Sequence, residues 1–340
     1  MLSNTSGGIT LNGLTSTTGD INLTSSSGVN LGGNVTSTAG DVTLTANGGS
    51  VALGANQVSA AGEVFLDGAG ITGTGTISAN LLTLSSTLAV DLDGTQVNTI
   101  NLSGLGAGAN IANTLATPLT VFGTVNNDLV LSNTGNIALG GNITSINGDV
   151  SLTSANGSLI ASASDYVQAN NLILAAQQAI GSDATAYKTN VNSLDFNVSN
   201  GNINLVNNDP AFEFASQVFN VWGNASGNVN VINYGELIVP AGKTLSGGGA
   251  VALTANSPLT VNGTVTSGGD MTLTAANPGD LTVNGSIFAS NGLIFLNAPG
   301  GSIFGNIPLG AYLNGVSNIP VTTPENQVTS NNTLSQVEST

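Results

Sequence analysis

Gly40-Asp41-Val42-Thr43-Leu44-Thr45 decides the fold, because it recurs. It is preceded by Gly19-Asp20-Ile21-Asn22-Leu23-Thr24 and followed, more loosely, by Gly62-Glu63-Val64-Phe65-Leu66. It returns as Gly148-Asp149-Val150-Ser151-Leu152-Thr153 and as Gly269-Asp270-Met271-Thr272-Leu273-Thr274. The early copies lie about 21 residues apart, a period that marks a solenoid, one small unit repeated and stacked on itself.

Within a copy the residues alternate. Val42 and Leu44 are expected to face inward and Thr43 and Thr45 outward, the period-two pattern of a half-buried strand. A second short strand is predicted at Val51-Ala52-Leu53, between Gly48-Gly49 and Gly54. Its counterpart in the preceding coil is Val29-Asn30-Leu31, bounded by Gly28 and Gly32-Gly33, and a third strand follows at Asn34-Val35-Thr36-Ser37. Gly, Asn and Asp at the joints suit tight corners. The fold class is therefore all-β: a parallel β-helix solenoid, expected to be right-handed, with coils of about 21 residues. About fifteen such coils would make a rod of roughly 70 Å at the usual inter-strand spacing. Aliphatic side chains would fill its interior, and Ser, Thr and Asn would coat the outside.

Repetition overrides the two-domain prior that 340 residues would carry. One β-helix domain is expected over residues 1–315, with irregular coils near 80–125 and 206–224 and a polar linker or frayed tail over 316–340. Strand-like pieces persist in the first irregular region at Leu82-Thr83-Leu84, Asn101-Leu102 and Leu119-Thr120-Val121. Residues 166–179, the stretch nearest to helical composition, read as strand and loop. The first rung starts at Gly8-Ile9-Thr10-Leu11 with no cap before it, which reads as a segment of a longer protein.

Eighteen acids stand against two lysines, with no Arg and no His, for a net charge of -16. That balance argues against nucleic acid, whose phosphates require Lys and Arg, and against anionic membrane surfaces. Hydrophobic residues make up 40% of the chain and alternate regularly, which separates it from disordered sequences. Without Cys there are no disulfides or thiolate metal sites. No apolar run has the ~18 residues of a membrane helix. Met1-Leu2-Ser3-Asn4 lacks the start of a signal peptide, so an export signal is not present in this chain.

Gly-Asp-Val-x-Leu-Thr followed by Gly-Gly-Asn-Val/Ile-Thr-Ser, at Gly32–Ser37 and Gly140–Ser145, resembles the repeats of filamentous-haemagglutinin-like exoproteins of two-partner secretion. So does the succession Asn171-Leu172-Ile173-Leu174, Ala179-Ile180-Gly181, Thr189-Asn190-Val191 and Gly201-Asn202-Ile203-Asn204-Leu205, echoed by Gly301-Ser302-Ile303-Phe304-Gly305. The resemblance covers roughly residues 1–315. It implies a secreted or surface-attached bacterial adhesin, associated with the outer membrane and exported through a dedicated outer-membrane transporter. It further implies a β-helical shaft with roles in adhesion or biofilm, and host or cell-surface glycans or proteins as partners. The family's N-terminal secretion domain and C-terminal toxin or anchoring domain are absent from this stretch. An autotransporter passenger is the alternative export route for the same shaft.

Candidate chemistry is sparse. Asp91 and Asp93 sit two apart on a predicted strand and so share a face, as paired carboxylates of a carbohydrate-active β-helix would; the plainer reading is two solvated acids. Asp209 and Glu213 near Trp222 form a second acid pair beside an aromatic platform, or else a surface loop. Stacking Asp20, Asp41 and Glu63 would build an acidic ladder, the only calcium candidate, although the Gly-Gly-x-Gly-x-Asp nonapeptide is missing and an Asp bonded to turn backbone accounts for the pattern. Outward pairs such as Thr43/Thr45 and Thr272/Thr274 raise an ice-binding face, but the outward positions mix Asn, Ser, Ala and Thr. Lys188 and Lys243 stand alone in the sequence. The reading is a non-catalytic shaft with no cofactor. Its candidate contact region is Phe212, Phe214, Phe219 and Trp222, because aromatics favour interfaces; the competing reading has them plug the core.

Overall fold

A computed structural model describes residues 2–212, 217–276, 278–308 and 310–314, together with the backbone of Asn326–Gln327, Ser335–Gln336 and Glu338–Ser339. Side chains are described up to residue 314, Phe212 excepted. The protein is nearly all β: parallel strands stack into a β-solenoid of about 15 turns of roughly 21 residues. The described residues contain no α-helix, only one 3-10 turn at Pro210–Phe212. No helix is long and apolar enough to cross a membrane. The chain forms two compact units, Met1–Asn170 and Asn171–Thr340.

In the first unit the repeated phrase becomes Ile21–Ser25, Val42–Ala46 and Glu63–Gly68. These pair in parallel with Ile21 beside Val42 beside Val64, and Leu23 beside Leu44 beside Leu66. All six side chains are buried, while Thr43 and Thr45 point the other way and are half-exposed. Each buried aliphatic contributes about 1.5–3 kcal/mol, and stacking like on like keeps the columns free of gaps. The second unit repeats the scheme on three faces. Val229, Val251, Met271 and Ile294 form one column, Leu237, Leu259, Leu281 and Ile303 another, and Leu245, Val265 and Ile287 a third.

Three expectations are corrected. Gly32-Gly33 does not end a strand: Val29–Ser37 runs through it without a break, as Ile137–Ser145 does through Gly140-Gly141. The glycines let the strand bend closely over the coil beneath, where Gly33 lies against the backbone of Asn12 and Gly13. Residues 80–125 are irregular in register but not in pairing. Val90–Leu105 is a single sixteen-residue strand with shifts at Leu92/Thr95 and Leu102/Leu105. Finally, the interior is not purely aliphatic. Ser25, Ser37, Ser145, Ser154 and Ser267 are buried, and their hydroxyls donate to the carbonyls of Gly7, Gly19, Asn127, Gly135 and Gly269. A buried corner carbonyl needs a donor, and serine supplies one within the wall. Residues 166–179 are two strands, Tyr166–Gln168 and Asn171–Ala176. The tail expected at 316–340 lies outside the described residues except for three two-residue strands.

The Gly-Asp pair acquires a reason from the stacking. Asp20 Oδ1 accepts the backbone N–H of Asp41 at 3.0 Å, and Asp41 Oδ1 accepts that of Glu63 at 2.7 Å. The carboxylate therefore reaches into the next coil and not into its own turn. Asp128, Asp270 and Asp280 do the same for the N–H groups of Asp149, Leu293 and Ser302. The reaching carboxylate fills the space beside the next coil's glycine. A Cβ on Gly62 would run into Asp41 Oδ1, and it would meet nothing but that carboxylate.

This coupling is testable by a double-mutant cycle. Gly62→Ala should destabilise by about 1 kcal/mol by evicting Asp41, and Asp41→Ala by a similar amount through the lost hydrogen bond. The double variant should cost no more than either single change, as measured by urea unfolding. Additive losses would mean that Gly62 is needed for some reason other than Asp41.

Candidate functional site

Two places collect the candidate residues. The first is on the outer wall of the first unit. Asp91 and Asp93 lie on Val90–Leu105, both exposed, with Asp91 beside Thr72 in one neighbouring coil and Asn110 in the other. Gly54 and Gly73 remove side chains below them, which opens a shallow groove of about 280 Å³ lined by Ala52, Gly54, Thr72, Gly73, Thr74, Asp91 and Asp93. The acid pair is thus brought together as its spacing implied. Asp91 Oδ1 accepts from Asn110 Nδ2 at 2.8 Å. The chain has neither His nor Arg, and among the described residues no third acid, His or Cys joins the two acids.

The second place is a corner of the second unit, and a corner of the first unit shows how it is built. Thr95-Gln96-Val97-Asn98 and Thr189-Asn190-Val191-Asn192 are two versions of one motif. Asn113 lies 18 residues after Thr95, and Asn207 lies 18 after Thr189. Asn113 Oδ1 accepts from Thr95 Oγ1 and Val97 N–H, both at 3.0 Å. Its Nδ2 donates to Val97 C=O at 3.1 Å and to Asn133 Oδ1 at 2.8 Å. All four hydrogen-bonding positions of the buried amide are used. Asn207 repeats this with Thr189, Val191 and Asn233 at 2.8–3.1 Å. Asn133 and Asn233 then donate to the corner carbonyls of Thr117 and Asn136, and of Gln217 and Glu236.

The two corners differ in one respect. Asn133 follows Asn113 by 20 residues, whereas Asn233 follows Asn207 by 26. The described start of the longer connection is Asn208, whose φ of 55° is the only positive value among described non-glycine residues, followed by Asp209 and the 3-10 turn Pro210–Phe212. Asp209 pairs with Lys188 at 3.2 Å. Asp209 Oδ1 also accepts the N–H of Ala211 at 3.0 Å. Lys188 is therefore not alone, contrary to expectation. Neither is Lys243, whose ammonium sits 4.5 Å above the Trp222 ring, a cation–π contact.

The aromatic contact region is only partly assembled. Phe219 is fully buried and pairs with Leu237 in the wall, so it plugs the core and is unavailable to a partner. Trp222 is half-buried, beside Asp195, with Lys243 on its face. Phe214, Glu213 and the Phe212 side chain lie outside the described residues. Of the calcium candidates, Asp20 and Asp41 accept from inter-coil N–H groups, and Glu63 donates its own backbone N–H to Asp41.

Sequence reasoning missed the Thr-x-Val-Asn corner, although its signal was present in the two copies and their equal spacing to a following Asn. No protein-family model, curated protein or solved structure matches this chain.

The corner amides make a stability prediction. Asn113→Ala and Asn207→Ala should each cost about 2–4 kcal/mol, because each leaves the buried amide of Val97 or Val191 without partners. Thr95→Val, which removes one donor and keeps the shape, should cost about 1 kcal/mol. Urea unfolding of the three variants checks the order.

Proposed function

We propose that this chain is the structural and adhesive shaft of a secreted or cell-surface bacterial exoprotein, non-catalytic and exported by the two-partner route. The observation that carries the reading is the use of its acids. Asp20, Asp41, Asp128, Asp270 and Asp280 each hold the next coil's backbone. Side chains spent on inter-coil hydrogen bonds stiffen a stack and are poorly placed for proton transfer. Ser and Asn inside the wall serve the same end. The mechanism is then spatial: a stiff series of coils carries a contact region away from the cell or offers a repeated polar surface. The net charge of -16 steers it away from anionic partners and favours neutral glycans or basic protein surfaces. Trp222, flanked by Asp195 and Lys243, is the contact residue to test first.

A second reading, a carbohydrate-active β-helix, is favoured by one feature, the groove under Asp91 and Asp93. One experiment separates the two. The purified chain is assayed for binding to immobilised cells and glycans and, in parallel, for reducing-sugar or unsaturated products from polysaccharides. The shaft reading expects saturable binding, weakened several-fold in Trp222→Ala, and no turnover. Turnover that disappears in Asp91→Asn and Asp93→Asn would overturn it in favour of the enzyme.

A further inference from the structure

The inserted loop changes the environment of two asparagines. At the plain corner of the first unit, Thr95 pairs with Asn113, and the residue that follows each, Gln96 and Thr114, is exposed. At the inserted corner Thr189 pairs with Asn207, so the same register places Asn190 beside Asn208. The backbone agrees: Thr114 N–H donates to Thr95 C=O at 2.8 Å, and Asn208 N–H to Thr189 C=O at 2.9 Å. Here, however, both following residues are buried, Asn190 to 8% exposure and Asn208 to 1%. The side-chain oxygen of each, Asn190 Oδ1 and Asn208 Oδ1, is buried with no hydrogen-bond partner.

The Asn208 assignment follows from the ladder. Asn233 donates through Nδ2 to two carbonyls, which makes its other atom an acceptor. Asn208 Nδ2 donates to that acceptor at 3.1 Å, so the remaining atom of Asn208 is a carbonyl oxygen. Two buried carbonyl oxygens without donors are costly, and native proteins fill such places with water or an ion. A third oxygen donor is at hand. Lys188 and Asn190 are two apart on one strand and share its outer face. The ion pair of Asp209 with Lys188 ties the Asp209 carboxylate to a side chain of that face, and Asp209 is next in sequence to Asn208. Lys188 and Asp209 are themselves four-fifths buried.

We infer that Asn190 Oδ1, Asn208 Oδ1 and the Asp209 carboxylate form a site for a hard divalent cation of the calcium type. The donor set is all oxygen, which suits Ca²⁺ and not the softer metals that take His or Cys, both absent from this chain. Neutral amide donors in an irregular corner suit the flexible coordination of Ca²⁺ better than the strict octahedron of Mg²⁺. Lys188 acquires a role as competitor: its ammonium and the metal seek the same carboxylate.

The test uses the full chain, stripped with EDTA and titrated with CaCl₂ by calorimetry in about 0.1 M KCl to screen the diffuse negative field, with MgCl₂ as comparator and thermal melts by circular dichroism. Wild type should take up one Ca²⁺ saturably, with a rise in Tm that MgCl₂ does not reproduce. Asn190→Ala, which touches no ladder bond, should keep the spectrum and lose the uptake. Lys188→Met should bind at least about tenfold more tightly, because a like charge has been removed. Uptake seen only in Lys188→Met and abolished by adding Asn190→Ala also supports the site. No uptake in either wild type or Lys188→Met would mean a buried water only and would sink the inference. Uptake indifferent to Asn190→Ala would do the same, since it would report the acidic surface as a whole.

Discussion

Everything in this structure depends on one constraint: each strand must find its backbone partners in the coil before and the coil after. A parallel stack leaves no freedom to slip, because a shift of one residue would turn a whole apolar column outward. The side-chain hydrogen bonds between coils strengthen that register. When Asp41 reaches up to the N–H of Glu63, it selects both the position and the identity of the residue before it, since only Gly62 leaves room. The repeated Gly-Asp is therefore a contact between coils, written in sequence as a dipeptide.

The interior shows how polar groups are tolerated in such a stack. Corners turn the backbone away from its ladder and leave carbonyls and amides facing inward. Buried Ser hydroxyls satisfy single carbonyls, as Ser37 does for Gly19. Where a corner exposes both an N–H and a C=O, a single hydroxyl is not enough, and an amide side chain takes over. Asn113 and Asn207 each bond both groups of one valine and pass the chain of hydrogen bonds to the next coil through Asn133 and Asn233. A fully satisfied network of this kind rigidifies its surroundings, and a partly satisfied one leaves costly unpaired polar atoms. The corner around Asn190 and Asn208 is of the second kind.

Architecture claims many of the side chains that the sequence singles out. Most of the acids singled out by the repeat are engaged in architecture, both lysines are held at the inserted corner and its neighbour, and Phe219 is core. What remains accessible includes a largely polar surface interrupted by exposed apolar side chains such as Leu88, Ile146 and Phe288, the groove beneath Asp91 and Asp93, and the half-buried Trp222.

The solenoid, its coil length and its inward aliphatics were legible in the sequence because a two-residue alternation and a fixed period leave few other ways to bury Val42, Leu44 and their copies. The shared face of Asp91 and Asp93 was legible for the same reason, since strand geometry is local. Only the tertiary structure decided the rest. It made Gly32-Gly33 a bend inside a strand, because the coil beneath supplies the pairing that continues it. It turned Asp20 and Asp41 toward the next coil, put Asn and Ser inside the wall, and took Phe219 into the core. It also brought Lys188 to Asp209 and buried Asn190 beside Asn208. Each of these is an encounter between residues some 20 apart in the chain, and the registers that create them are set by stacking, which no local pattern encodes.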